Sequence, residues 1–142
     1  MTTSTANAVW EGGLRTGRGH FSAGSGVFAG DYSFVTRFEG ARGTNPEELI
    51  AAAHAACLSM ALAAGLEAAR TPATRISTKA ACTIDRVGEG FKITRMKLEV
   101  RGEVPGLDEA GFRAAAEKAK AGCPVSQALQ GNVQLELDAR LA

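Results

Sequence analysis

The stretch that most constrains this chain begins at Thr44-Asn45-Pro46-Glu47-Glu48-Leu49 and runs on through Ile50, His54, Cys57, Leu58, Met60 and Leu62 to about Arg70. Asn45 can cap free amides, Pro46 suits a first helical position, and Glu48 stands three residues after the cap, where its side chain can answer the cap amide. A helix therefore starts at Asn45 or Pro46, and Thr71-Pro72 limits its other end. From Leu49 onward Ala, Leu, Ile and Met occupy every side, and a helix apolar all round is a buried one. His54 and Ser59 interrupt the run, which favours a core or interface helix over a membrane span. One modest sheet face cannot cover such a helix, so a second copy of the chain is expected to cover the rest, as a homodimer.

A chain of 142 residues with no Ser/Pro-rich or single-charge tract is expected to form one domain, residues 1–142. Its 16 basic and 15 acidic residues are interspersed and leave a net charge of +1, which gives no basis for nucleic-acid binding or adhesion to an anionic membrane. The N-terminus Met1-Thr2-Thr3-Ser4-Thr5-Ala6-Asn7 has neither a basic region nor an apolar one, so a cytoplasmic location is expected. Three widely separated cysteines do not make a disulfide scaffold, and each is judged by its surroundings.

Around the central helix the sequence predicts strands. Ala8-Val9-Trp10-Glu11 and Gly17–Ser22 read as an initial hairpin, Ala29-Gly30-Asp31 as a turn, and Tyr32–Phe38 as a strand with Tyr32, Phe34, Thr36 and Phe38 on one face and Arg37 on the other. Ile76, Thr78, Ala80, Cys82 and Ile84 alternate with polar or small neighbours, as do Met96, Leu98 and Val100, on either side of the turn Val87-Gly88-Glu89-Gly90. Phe91 and Ile93 fall out of phase there, which suggests a bulge. Asp108 caps a second helix, Glu109 to Ala121, with an apolar stripe of Phe112, Ala115, Ala116 and Ala119 and a stop at Gly122. Pro124 restarts a short helix with Cys123 at its cap, and Val133, Leu135, Leu137, Ala139 and Leu141 alternate in a last strand. This order reads as α+β, an antiparallel sheet with helices on one face.

Cys57, taken alone, is a small buried hydrophobe. Cys123 changes the weighing, because a thiol at a helix N-terminus faces unpaired amides and the positive end of the dipole, which favour thiolate. Two such thiols suit a redox pair. Cys82, on a strand face between Ala80 and Ile84, reads as packing. His54 precedes Cys57 by three residues and can touch it on a helix surface, so a cysteine–histidine nucleophile stands beside the plainer reading of a core histidine with a hydrogen-bond partner. His20, His54, Cys57 and Cys123 lack a ligand clip such as C-x-x-C, so no metal is expected. The glycine-rich Gly24-Ser25-Gly26 does not sit between a strand and a helix, so no nucleotide cofactor is expected either.

Taken together, Thr36-Arg37-Phe38-Glu39-Gly40, Gly43-Thr44-Asn45-Pro46-Glu47-Glu48-Leu49, His54-Ala55-Ala56-Cys57 and Ala119-Lys120-Ala121-Gly122-Cys123-Pro124-Val125-Ser126 resemble the OsmC/Ohr family of thiol peroxidases. The likeness spans nearly the whole chain, and Trp10-Glu11-Gly12 with Arg37 ahead of the helix is more similar to the OsmC branch than to the organic-hydroperoxide-resistance branch. The resemblance implies an intertwined α/β homodimer, sheets packed around the long helices. It also implies reduction of organic hydroperoxides, and less efficiently of hydrogen peroxide, with Cys57 as peroxidatic and Cys123 as resolving cysteine. It assigns Arg37 and Glu47 to the same site, requires no cofactor, and leaves the external dithiol reductant unidentified.

These roles have a physical rationale. A guanidinium near Cys57 favours thiolate and holds the peroxide oxygen, Glu47 can orient Arg37 through a forked pair, and Cys123 can trap a Cys57 sulfenic acid as a disulfide. Leu58, Met60 and the alanines read as an apolar wall suited to an alkyl or fatty hydroperoxide. Two rival readings fit the same residues: a cysteine–histidine hydrolase or acyl transferase using Cys57 and His54, and a dimeric binder of apolar ligands with inert cysteines.

Overall fold

The computed structural model describes all 142 residues as two compact units, residues 1–49 and 50–142. In the first, β1 (Ala6–Glu11), β2 (Arg18–Ala23) and β3 (Ala29–Tyr32) form an antiparallel meander in the order β1-β2-β3. The initial hairpin is the one expected from sequence. Ala29-Gly30-Asp31 is strand and not turn: Gly30 lies opposite Phe21, and a Cβ there would stand 2.9 Å from the Phe21 ring. Its glycine makes room for an aromatic ring that also meets Tyr32 at 5.9 Å between centroids.

The expected strand Tyr32–Phe38 is likewise corrected, because α1 (Phe34–Phe38) is a helix. Ser33 Oγ accepts from the Thr36 amide at 3.4 Å and Thr36 Oγ1 accepts from the Ser33 amide at 2.9 Å, a capping box that outweighs a short alternating pattern. Phe34 and Phe38 share a face at strand spacing and at helical i, i+4 spacing alike, and their rings meet at 5.1 Å. The alternation therefore could not distinguish the two.

Helix α2 (Pro46–Ala68) starts where the sequence places it, with Asn45 Oδ1 accepting from the Glu48 amide at 2.8 Å. Glu48 does not answer the cap; its carboxylate takes the Thr44 hydroxyl at 2.8 Å instead. By length and composition α2 could cross a membrane. In this chain its stripe His54, Leu58, Leu62 and Leu66 is buried, at strict i+4 spacing, in the core of the second unit. Ala52, Ala53, Ala56, Met60, Ala63 and Ala64 on the other side are exposed, so burial all round is not achieved within one chain.

The second unit holds a three-stranded sheet in the order β4-β5-β6, from β4 (Arg75–Val87), β5 (Gly90–Glu103) and β6 (Gln134–Leu141). The β4–β5 hairpin turns at Gly88-Glu89, where Gly88 takes φ +61°, and its register slips between Thr83 and Ile84. Thr83 faces Arg95 and Ile84 faces Ile93, leaving Thr94 as the extra residue of the expected bulge. β6 pairs with β5 in parallel, which corrects the expectation of a purely antiparallel sheet. Alternation reveals a strand but not its direction. Here α3 (Glu109–Gly122) and α4 (Pro124–Leu129) carry the chain back to the starting end of β5 before it re-enters the sheet. Phe112 of α3 fills the space over Gly102, where a Cβ would collide with its ring.

Helix α2 ends on Arg70, a non-glycine residue at φ +63°. The Thr71 amide bonds Leu66 O and the Arg70 amide bonds Glu67 O, each at 2.9 Å, the paired bonds of a left-handed helix end. Replacing Arg70 by Gly should relieve the Cβ clash of that conformation and stabilise the fold by about 0.5–1 kcal/mol. A lower urea midpoint for Arg70→Gly would contradict this account of the helix end.

Candidate active site

The sequence-selected residues fall into two pairs, each inside one unit. In the first, Arg37 of α1 forks onto Glu47: Nε donates to Oε1 at 3.1 Å and Oε2 at 3.3 Å, and Nη2 donates to Oε1 at 2.7 Å. Asn45 prepares this geometry, since its Nδ2 donates to Thr36 O at 3.3 Å while its Oδ1 caps α2. Pro46 then opens the helix and Glu47 follows in its first turn. Glu47 is 4% exposed, so its carboxylate depends on the guanidinium and on the helix N-terminus for charge compensation. Arg37 is more open, with 35% of its side chain exposed, and its guanidinium also lies 5.2 Å from the centroid of Phe38.

The second pair is the thiols. Cys123 ends α3, its amide bonding Ala119 O at 2.8 Å, and at once caps α4, where Pro124 takes the first position. Its Sγ, fully buried, lies 2.8 Å from the half-buried Sγ of Cys57 and donates to it. Residues 66 apart in sequence thus meet because α2 and α4 share one core. Cys82 faces Met96 across β4 and β5 and packs against that core, as its strand position implies.

The two protons are shared out unequally. Burial pushes the Cys57 thiol up, the Cys123 side chain pushes it further, and only the Val125 amide acts in the other direction to favour thiolate. Burial raises Cys123 as well, but the neighbouring Cys57 and Ser126 side chains and the amides of Ser126 and Val125 outweigh it, and the net direction is down. These are the open amides that the helix N-terminus was expected to offer.

His54 does not touch Cys57. Its Nε2 lies 2.7 Å from Ser126 Oγ, both residues are fully buried, and its Nδ1 has no partner. Burial holds the imidazole below its ordinary pKa, so it is neutral near pH 7. With Nε2 committed to Ser126, the Cys57–His54 nucleophile of the hydrolase reading has no support in the geometry. His20, the other candidate ligand, pairs with Asp31 at 2.7 Å. Ser126 escaped the sequence reading; its signal was the spacing Cys123-Pro124-Val125-Ser126, which puts it third after the cap.

Leu58 is fully buried in the core and cannot form a substrate wall, which corrects that expectation, whereas Met60 is 75% exposed. A shallow apolar groove of about 450 Å³ lies instead along Ala61, Gly65, Ala115, Ala119 and Gly122, with Lys118 at its rim. Neither thiol lines it; Ala61 follows Cys57 by four residues on α2 and Ala119 precedes Cys123 by four.

A family profile described as OsmC-like protein matches residues 39–138. The chain is 52% identical over 131 residues, 91% of each protein, to the protein named Peroxiredoxin OsmC of Escherichia coli (strain K12). It is 36% identical over 100 residues to the organic hydroperoxide resistance protein of Xanthomonas axonopodis pv. citri (strain 306), covering 69% of this chain and 68% of that protein. Among solved structures, an organic hydroperoxide resistance protein from Elizabethkingia anophelis aligns with a TM-score of 0.80 at 27% identity over 99% of both chains. OhrB of Bacillus subtilis aligns at 0.72 and 30% identity over 96% of this chain and 98% of that one. Matched by the family profile over residues 39–138, and 52% identical along 91% of its length to a relative that carries the family's name, this chain belongs to the OsmC family.

Proposed function

We propose that this chain is a cysteine-based peroxidase that reduces organic hydroperoxides to alcohols at the expense of an external thiol reductant. The observation that carries the reading is the 2.8 Å contact between Cys57 and Cys123 in a member of a family whose relatives are named for peroxide reduction and hydroperoxide resistance. Cys57, the more open thiol, attacks the peroxide as thiolate; the O–O bond breaks, Cys57 becomes sulfenic acid, and the alkoxide takes a proton to leave as alcohol. Cys123 then displaces the sulfenic oxygen as water and closes a disulfide, which the dithiol reductant reopens. The apolar groove that begins one helical turn beyond Cys57, at Ala61, supports an alkyl hydroperoxide over a charged substrate.

Burial opposes the Cys57 thiolate, and the groups that set its proton, Cys123 and Val125, belong to its own unit. The missing stabilisation is assigned to Arg37, oriented by Glu47. Glu47 and Cys57 are ten residues apart on α2, about 15 Å along its axis, so one helix cannot bring them together. The working form is accordingly a cytoplasmic homodimer of single-domain chains, residues 1–142, with antiparallel α2 helices joining Glu47 of one copy to Cys57 of the other. The exposed apolar side of α2, with Met60 at 75% exposure, supports this pairing.

Treatment with one equivalent of an organic hydroperoxide, followed by mapping of thiols and disulfides, should yield a Cys57–Cys123 bridge. Cys57→Ser should abolish turnover, while Cys123→Ser should permit one round and leave sulfenic acid at Cys57, open to overoxidation. Native-rate peroxide consumption by Cys57→Ser would end the assignment.

Arg37→Ala should displace the pH profile of Cys57 alkylation upward and slow its oxidation, with Arg37→Lys restoring charge but not the fork and recovering activity in part. Identical profiles in wild type and Arg37→Ala would remove the guanidinium from the thiolate's surroundings. Mixing inactive Cys57→Ser and Glu47→Ala chains should recover about a quarter to a half of native activity, because a mixed dimer holds one complete site. No recovery despite demonstrated subunit exchange would return Glu47 to the site of its own chain.

A further inference from the structure

His54 and Ser126 stand beside the thiol pair without a part in the chemistry above. Helix α2 carries His54 and Cys57 one turn apart, and α4 carries Cys123 at its cap and Ser126 at its third position. Two rungs join the helices: Cys123 Sγ to Cys57 Sγ at 2.8 Å, and His54 Nε2 to Ser126 Oγ at 2.7 Å. Ser126 is the third residue of the helix that Cys123 caps, so the two rungs lie one turn apart at the head of α4.

Packing alone does not account for these rungs. A buried polar atom without a partner costs about 1–3 kcal/mol, and His54 Nδ1 is such an atom. Two apolar side chains of similar size would fill the same space without that cost. The orphan also identifies the tautomer. A buried N–H without an acceptor is rarer than a bare acceptor, so the imidazole proton resides on Nε2 and is donated to Ser126 Oγ. Ser126 has a single proton of its own; with its oxygen occupied by His54, that proton is left to be donated, and Cys123 heads the same turn.

We propose that His54 is a positioning residue for the resolving thiol, holding the Ser126 hydroxyl so that it donates to Cys123 and keeps that sulfur ready as thiolate. The inference rests on the peroxidase reading and concerns its second step. The Cys123 thiolate attacks the Cys57 sulfenic sulfur, an S–S bond forms and the S–O bond breaks. The departing hydroxide takes up the proton that Cys123 has released and leaves as water; the thiolate sulfur is oxidised and the sulfenic sulfur reduced. The lowered pKa of Cys123 agrees with this role. The groups acting on Cys123 are Cys57 from α2 and Val125 and Ser126 from α4, burial is what acts on His54, and no charged side chain contributes to either.

The test is a rapid-mixing experiment with one equivalent of cumene hydroperoxide on the full chain, following Cys57 sulfenic acid by dimedone trapping and disulfide closure by mass. In Ser126→Ala and His54→Leu the ratio of closure rate to Cys57 oxidation rate should fall about tenfold, and the pH profile of closure should move upward by about one unit. His54→Gln, which keeps an amide donor toward Ser126, should recover part of the loss. Wild-type closure rates and pH profiles in Ser126→Ala and His54→Leu would overturn the proposal, and so would a His54→Gln no better than His54→Leu. If cumene hydroperoxide does not oxidise wild-type Cys57, the peroxidase reading fails on its own, and ultraviolet titration of the thiolates decides the remainder. There, in a Cys57→Ser background, Ser126→Ala should raise the pH at which the Cys123 thiolate forms, and an unchanged titration would show that the hydroxyl does not act on Cys123.

Discussion

Leu58, Leu62 and Leu66 share one core with Met96, Leu98, Val100 and Phe112, and that shared burial holds α2 in a fixed rotation about its own axis. Each buried leucine contributes about 1.5–3 kcal/mol, against about 1 kcal/mol for a typical hydrogen bond. A one-residue slip would turn the stripe by roughly 100° and expose the leucines. The apolar stripe therefore governs, and the polar residues next to it follow. Cys57 adjoins Leu58 and faces α4; His54 occupies the first position of the stripe and is carried into the core with it.

Helix α4 is located by a different means. Cys123 closes α3 and opens α4, so the same residue terminates one helix and supplies the reactive group at the head of the next. The price of that arrangement is polar matter in the core, and it is only partly compensated. Cys123 meets Cys57, Ser126 gains His54, and one imidazole nitrogen gains nothing.

Charge follows the same logic in the N-terminal unit. Glu47 is desolvated at the head of α2, and the forked bond from Arg37 together with the helix dipole offsets what burial costs the carboxylate. The pair leaves the guanidinium oriented and partly open.

Much of this was legible in the sequence because it is local. The Asn-Pro-Glu start of α2, the Asp108 cap, the bulge signalled by Phe91 and Ile93, and Cys123 at a helix head each rest on neighbours within a few residues. The family resemblance was legible for the same reason, since its motifs are short runs of adjacent residues. The failures lay where two structures satisfy one local pattern. Phe34 and Phe38 share a face in a strand and in a helix, Gly30 serves a turn or a large cross-strand ring, and an alternating Val133–Leu141 is indifferent to the direction of its partner. What the amino-acid order determined by itself was thus the caps, the periods and the candidate thiols. Tertiary structure alone decided that α2 buries one stripe and leaves the other side bare, that β6 runs parallel to β5, and that His54 meets Ser126 rather than Cys57. Those outcomes depend on which distant surfaces exclude water together, and no window of adjacent residues contains that information.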